Sequence, residues 1–152
     1  PIIALPGVGE KIATRIAKLP VEQRVQATLN LVYADPTCVP PERVAEAQED
    51  ARVLAQKPWV GEAFQSALRG ILSTYFDRGP DAPWRLAERI KVPVLLIYGQ
   101  QDKLVNQRAA KRASRHFLHC RVMVLPHSGH VSQMEHPEMV ERAWRHLIEP
   151  YA

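Results

Sequence analysis

No apolar run in this chain is long enough to cross a bilayer, although hydrophobic residues fill 46% of its 152 positions. A membrane-spanning helix, which needs about 20 largely apolar residues in a row, is therefore excluded. Cysteine is nearly absent. Cys38 and Cys120 are the only two, too few for a disulfide framework and too far apart for a Cys-x-x-Cys metal or redox pair. They read as ordinary reduced thiols of a cytoplasmic protein. There is also no initiator Met, no charged-then-apolar leader, no internal repeat and no low-complexity tract, so residue 1 reads as lying inside a longer polypeptide. The net charge of +4 lacks the dense basic block of a nucleic-acid tail, because the arginines are spread along amphipathic segments.

What the chain does have is punctuation and periodicity. Its thirteen prolines separate segments in which apolar residues recur at helical spacing. The pattern predicts helices from Pro20 to about Asn30 and from Pro41 to about Gln56, both opened by a proline whose fixed φ suits a first turn. A third is expected from about Val60 to Tyr75, with Val60, Phe64, Leu68, Ile71 and Tyr75 on one face and Asp-Arg-Gly-Pro ending it at Asp77 to Pro80.

At Val92 the character changes. Val-Pro-Val-Leu-Leu-Ile-Tyr-Gly, ending at Gly99, is a short apolar run of strand formers and reads as a buried strand of a parallel sheet. A helix from about Gln107 to Phe117, a second strand from Arg121 to Leu125 and a last helix from about Pro137 to Ile148 come after it. Strand, helix, strand, helix is the repeating unit of an α/β fold. The change of character divides the chain into a helical segment, 1–89, and a sheet segment, 90–152. Two strands make no independent sheet core, a second sign that the chain is part of something longer.

Asp102 falls just beyond the carboxyl end of the first strand, where open α/β sheets build their sites. Twenty-eight residues on, past the end of the second strand, comes Pro-His-Ser-Gly-His with His130 at its close. A carboxylate that holds one imidazole nitrogen lets the other take a proton from a nucleophile or a water. Asp102 and His130 are the candidate catalytic residues.

These two stretches, Val-Pro-Val-Leu-Leu-Ile-Tyr-Gly-Gln-Gln-Asp and Leu-Pro-His-Ser-Gly-His with the helix after it, resemble the carboxyl-terminal third of the α/β-hydrolase fold family over roughly residues 84 to 149. The resemblance implies the carboxyl-terminal portion of an α/β-hydrolase parallel sheet plus a mostly helical cap segment. It assigns Asp102 as the acid of the triad and His130 as its histidine. It implies esterase- or lipase-like hydrolysis of a small, largely apolar substrate, with Phe64, Leu68 and Tyr75 as candidate substrate-binding residues of the cap. The nucleophile of the family, a Ser in a Gly-x-Ser-x-Gly elbow or an Asp equivalent, has no counterpart in this chain. The expected partners are the substrate and the missing amino-terminal half, or a second copy of the chain; no nucleic acid and no cofactor is expected.

Other motifs have plainer readings. Leu5 to Gly9, Leu-Pro-Gly-Val-Gly, resembles the turn of a DNA-binding helix-hairpin-helix, but only four residues precede it, and the hydrolase resemblance makes it the entry to the cap. His127, His130 and His136 lack a Cys partner and the i, i+4 helical spacing of a zinc protease, so no metal is expected. Ser128 lacks the strand-to-helix elbow of a nucleophile. Glu135 is expected to pack under the histidine loop. Arg108, Lys111, Arg112 and Arg115 read as the solvated face of a helix that turns Ala109, Ala113 and Phe117 inward.

Overall fold

A computed structural model describes residues 19–151. Within them the chain forms α1 (Val21–Val32), α2 (Pro41–Ala55), α3 (Val60–Phe76), α4 (Pro83–Glu88), β1 (Val94–Gly99), α5 (Ala110–Ser114), β2 (Cys120–Leu125), α6 (Ser132–Glu135) and α7 (Pro137–Ile148). The described residues divide into two compact units, one holding 19–28 with 39–79 and the other 29–38 with 80–151. The end of α1 and the turn after it therefore belong with the sheet.

In the first unit α2 starts with Pro41 at its first helical position, where the missing N–H costs nothing. Arg52 bridges to Glu22 of α1 at 2.6 Å and to Glu49 at 3.2 Å. These pairs lie in solvent and add little stability. The third helix forms over the expected span.

The second unit is built on a parallel pair, β1 beside β2, in register from Val94 opposite Cys120 to Gly99 opposite Leu125. The helix α5 packs on both strands and α7 on β1. Its core contains Tyr33, Ala87, Ala110, Ala113, Leu125 and Leu147. Burying a leucine such as Leu125 is worth about 1.5–3 kcal/mol. Apart from buried Gly99, β1 is only half-buried, not closed over as its continuous apolar run suggested. Among the described residues the sheet has two strands, so each is flanked on one side alone.

The helix expected from Gln107 to Phe117 is shorter. Asn106 accepts from the Arg108 N–H at 2.9 Å, which tightens the entry into a 3-10 turn over Gln107–Ala109. The exit tightens too, through the i to i+3 bonds Arg112 to Arg115 and Ala113 to His116. The Arg108, Lys111, Arg112 and Arg115 face is exposed as expected, whereas the inward residues are Ala110 and Ala113, and Ala109 is exposed. Two short helices, α4 and α6, carry too few residues to show a period in sequence.

Gly99 marks the tightest approach in the unit. A β-carbon there would fall on the main chain of Ser128 and Gly129, closer than any real contact. Gly99→Ala is therefore expected to cost about 1–3 kcal/mol, the range for overpacking against structure that cannot yield. Chemical denaturation of both chains would measure it; equal midpoints would contradict the close approach.

Candidate active site

The register of the two strands sets the loops after them beside each other. With Gly99 opposite Leu125, both chains leave the sheet side by side. The Gln100 N–H donates to the Leu125 carbonyl at 2.9 Å and the Gln101 N–H to the Ser128 carbonyl at 2.8 Å. The loop after β1 is thus stitched to the loop after β2 before either side chain of interest is reached.

Asp102 is held by its own loop. Its Oδ1 accepts from the N–H groups of Leu104 at 2.7 Å and Val105 at 2.9 Å. Its Oδ2 lies 2.9 Å from Nδ1 of His130. An ionised carboxylate can only accept, so the proton of this bond sits on Nδ1. The Asp102 side chain is 6% exposed and that of His130 40%, so the carboxylate is shielded while the ring stays reachable. Burial pushes the Asp102 carboxyl up, but the bonds from the Val105 N–H, His130 and the Leu104 N–H, with the His130 charge, outweigh it and leave it below its ordinary value.

The histidine loop needs a reversal that the backbone makes at His127, which has φ 57°. This left-handed conformation is unfavourable for a residue with a side chain. It is held by neighbours: the Nε2–H of His136 donates to the His127 carbonyl at 3.2 Å, and the Gln101 amide donates to His127 Nδ1 at 3.4 Å. After the reversal Ser128 points into the core, fully buried, with its hydroxyl 2.8 Å from that of Ser132. Ser128 is accordingly a structural residue, not an accessible nucleophile.

Beyond Ser128 the loop lies flat on the turn after α1. A β-carbon on Gly129 would meet the backbone of Val32 to Ala34 at 2.5–2.8 Å, and the His130 N–H donates to the Val32 carbonyl at 2.7 Å. Glu135 sits beneath, as its place ahead of the last helix suggested, accepting from the Gly129 N–H at 2.5 Å. The role of residues 32–34 was not visible in sequence. Their contribution is main-chain, and no side-chain pattern announces it. Lys103 also reaches this end of α1, its ammonium donating to the carbonyl of Asn30 in the helix's last turn.

Asp102 and His130 are thus brought together. Phe64 and Leu68 lie on α3 in the other compact unit; Phe64 is 62% exposed and Leu68 half-buried. The backbone of Tyr75 belongs to α3, and its side chain is outside the described residues, as is the whole Leu5 to Gly9 stretch. An open cleft runs along the loop after β1, lined by Gln100, Asp102, Lys103, Leu104, Asn106, Gln107 and Arg108. It is polar and reaches Asp102 without His130, so it does not supply an apolar substrate pocket. No cluster of three metal-ligating side chains occurs among the described residues.

A family model described as the α/β-hydrolase fold matches residues 12–137. No curated protein matches the chain in sequence. Among solved structures, the chain is similar to a meta-cleavage product hydrolase from Pseudomonas fluorescens, with 18% identity and a TM-score of 0.68 over 90% of this chain and 48% of that one. It is similar to a putative lipase from Acinetobacter baumannii at 20% identity and a TM-score of 0.66, covering 86% and 43%. A thermophilic esterase from Thermogutta terrifontis gives 20% and 0.60, covering 92% and 48%. The chain spans less than half the length of each of these three proteins.

The lowered carboxyl of Asp102 makes stability depend on pH. Its unfolded value is about 3.9, so its stabilising contribution is complete above about pH 5 and fades as the pH falls through the lower folded value. Thermal midpoints of the unaltered chain and of Asp102→Asn, measured from about pH 7 down to about pH 2, should converge at the acid end, where both side chains are neutral. A constant gap would mean that Asp102 is not held as an ion.

Proposed function

The chain belongs to the α/β-hydrolase fold family, and from that premise we propose that it is the cap and the acid–histidine end of a hydrolase acting on an ester or comparably activated bond of a small, largely apolar substrate. The observation that carries this reading is the 2.9 Å contact between His130 Nδ1 and Asp102 Oδ2, made at the carboxyl ends of two adjacent parallel strands. A carboxylate shielded from water and fixed by two main-chain N–H groups is a suitable partner for an imidazole that must become charged. The lipase and esterase among the similar structures support the same class.

In this reading His130 and Asp102 are the catalytic pair. An upstream Ser supplied by the amino-terminal half of the polypeptide attacks the carbonyl, and Nε2 of His130 takes its proton. Asp102 keeps the ring in the required tautomer and stabilises the imidazolium, which then returns the proton to the leaving group. The 152 residues alone are expected to be silent, since a base without nucleophile and oxyanion donors has little to activate. Residues 1–89 are assigned to the cap segment, with Phe64, Leu68 and Tyr75 as its candidate substrate-binding residues, and 90–152 to the core. The partners are the substrate and the remaining half of the fold, in the cytoplasm, without nucleic acid. No helix among the described residues is long and apolar enough to cross a membrane.

The test uses the full-length polypeptide and a fluorophosphonate probe read by intact mass. One added probe mass, lost together with the hydrolysis of an activated ester in His130→Ala, is the expected result. Asp102→Asn should keep the fold and lose turnover by about 10⁴-fold, the scale seen when a triad histidine is left in the wrong tautomer. A near-normal rate would move the acid to another strand. Turnover of an alkyl halide or an epoxide with no probe adduct would replace the Ser nucleophile by an Asp.

A further inference from the structure

Glu135 is an acidic side chain beside the histidine loop that the proposed chemistry does not use, and both of its oxygens are bonded. One oxygen, Oε1, accepts from the Ala34 N–H at 2.7 Å. The other, Oε2, accepts from the Gly129 N–H at 2.5 Å and from the Ser128 hydroxyl at 3.3 Å. The carboxylate therefore joins two separate strips of backbone, the turn after α1 and the loop that carries His130. The Ala34 and Gly129 N–H groups cannot pair with each other, because both are donors.

We propose that Glu135 is a positioning residue for His130, a carboxylate strut that fixes the height of the histidine loop above the Val32–Ala34 turn and so sets the Nδ1 to Asp102 contact. The chain of cause is short. Gly129 is held by Glu135 on its N–H, and the next N–H, that of His130, is held by the Val32 carbonyl at 2.7 Å. With two consecutive peptide groups fixed, little freedom remains in the backbone from which the ring springs. Ser132 closes the arrangement, its hydroxyl lying 2.8 Å from that of Ser128 and 3.3 Å from the Gly129 carbonyl. The catalytic consequence of the strut rests on the hydrolase reading; its geometry concerns this chain alone.

The strut requires two acceptor oxygens. Glutamine has nearly the same shape but only one, and its NH₂ would face an N–H where an acceptor is needed. Glu135→Gln is therefore a disruptive change here, leaving either Ala34 or Gly129 with an unsatisfied donor. One strip must move away, and the ring of His130 moves with its loop.

The experiment is a long-range ¹H–¹⁵N correlation of the histidine rings in the full-length polypeptide, which reads the tautomer of neutral His130. The unaltered chain should show one tautomer, with the proton on Nδ1. Glu135→Gln should lose that single-tautomer pattern, whereas Leu147→Ala, a core truncation on α7, should keep it in spite of its lower stability. In the full-length enzyme the same Glu135→Gln change should lower kcat on the order of 10²-fold with KM little altered, the effect of a small displacement of a reacting group. A folded Glu135→Gln chain with the Nδ1 tautomer intact overturns the proposal. If that variant does not fold, Glu135→Asp decides in the same way, since it keeps the charge but is one methylene too short to reach both strips. Absence of the Nδ1 tautomer in the unaltered chain would overturn the proposal and the Asp102–His130 pair together. A full-length protein that takes no probe, while Glu135→Gln still shifts the tautomer, would overturn the hydrolase reading and uphold the role of Glu135.

Discussion

Three strips of backbone stacked through two glycines hold the candidate site together. Gly99 ends β1 against the Ser128–Gly129 peptide, and Gly129 lies in turn against Val32 to Ala34. Side chains at either position would push the strips apart, since atoms of the main chain have nowhere to go. The hydrogen bonds run along this stacking: Gln101 to Ser128 on one side and His130 to Val32 on the other. Asp102 comes from the first strip and His130 from the second, and their contact inherits the spacing of the backbones.

Such close stacking buries polar groups, and each has to find a partner. Ser128 is fully buried, yet its hydroxyl meets Ser132 and Glu135. The two N–H groups that face each other across the stack, those of Ala34 and Gly129, are both satisfied by Glu135. Replacing that carboxylate by an apolar residue would strand two donors at once, each costing about 1–3 kcal/mol. The strained backbone of His127 belongs to the same close packing, because the reversal there is what turns Ser128 inward and brings Gly129 onto the turn after α1.

The electrostatics divide along burial. Asp102 is shielded, doubly bonded by its own loop and paired, so its charge acts at short range on one ring. Lys111 and Arg112 of α5 and the Arg52 pairs lie in solvent and are screened. A net charge of +4 therefore says little about the site, where a single carboxylate and a single imidazole dominate.

The sequence by itself determined the two strands, because the short run of strand formers closed by Gly99 and the Arg121 to Leu125 segment alternate with helical periods as in an α/β unit, and it determined α7, whose apolar period starts at Pro137. It also singled out Asp102 and His130, since both come just after strand ends. It left out α4 and α6, too short for a period to show, and it overstated the burial of β1, since an apolar run records what a strand can bury and not how many neighbours it has. Tertiary structure alone decided that the turn after α1 supports His130, because hydrogen bonds to main-chain groups leave no mark on side-chain identity. It alone decided that Ser128 is buried and that Glu135 spans two strips, for these depend on the distance between backbones far apart in the chain. Residue types can announce chemistry, but the spacing that makes a carboxylate orient a ring is a property of packed backbones.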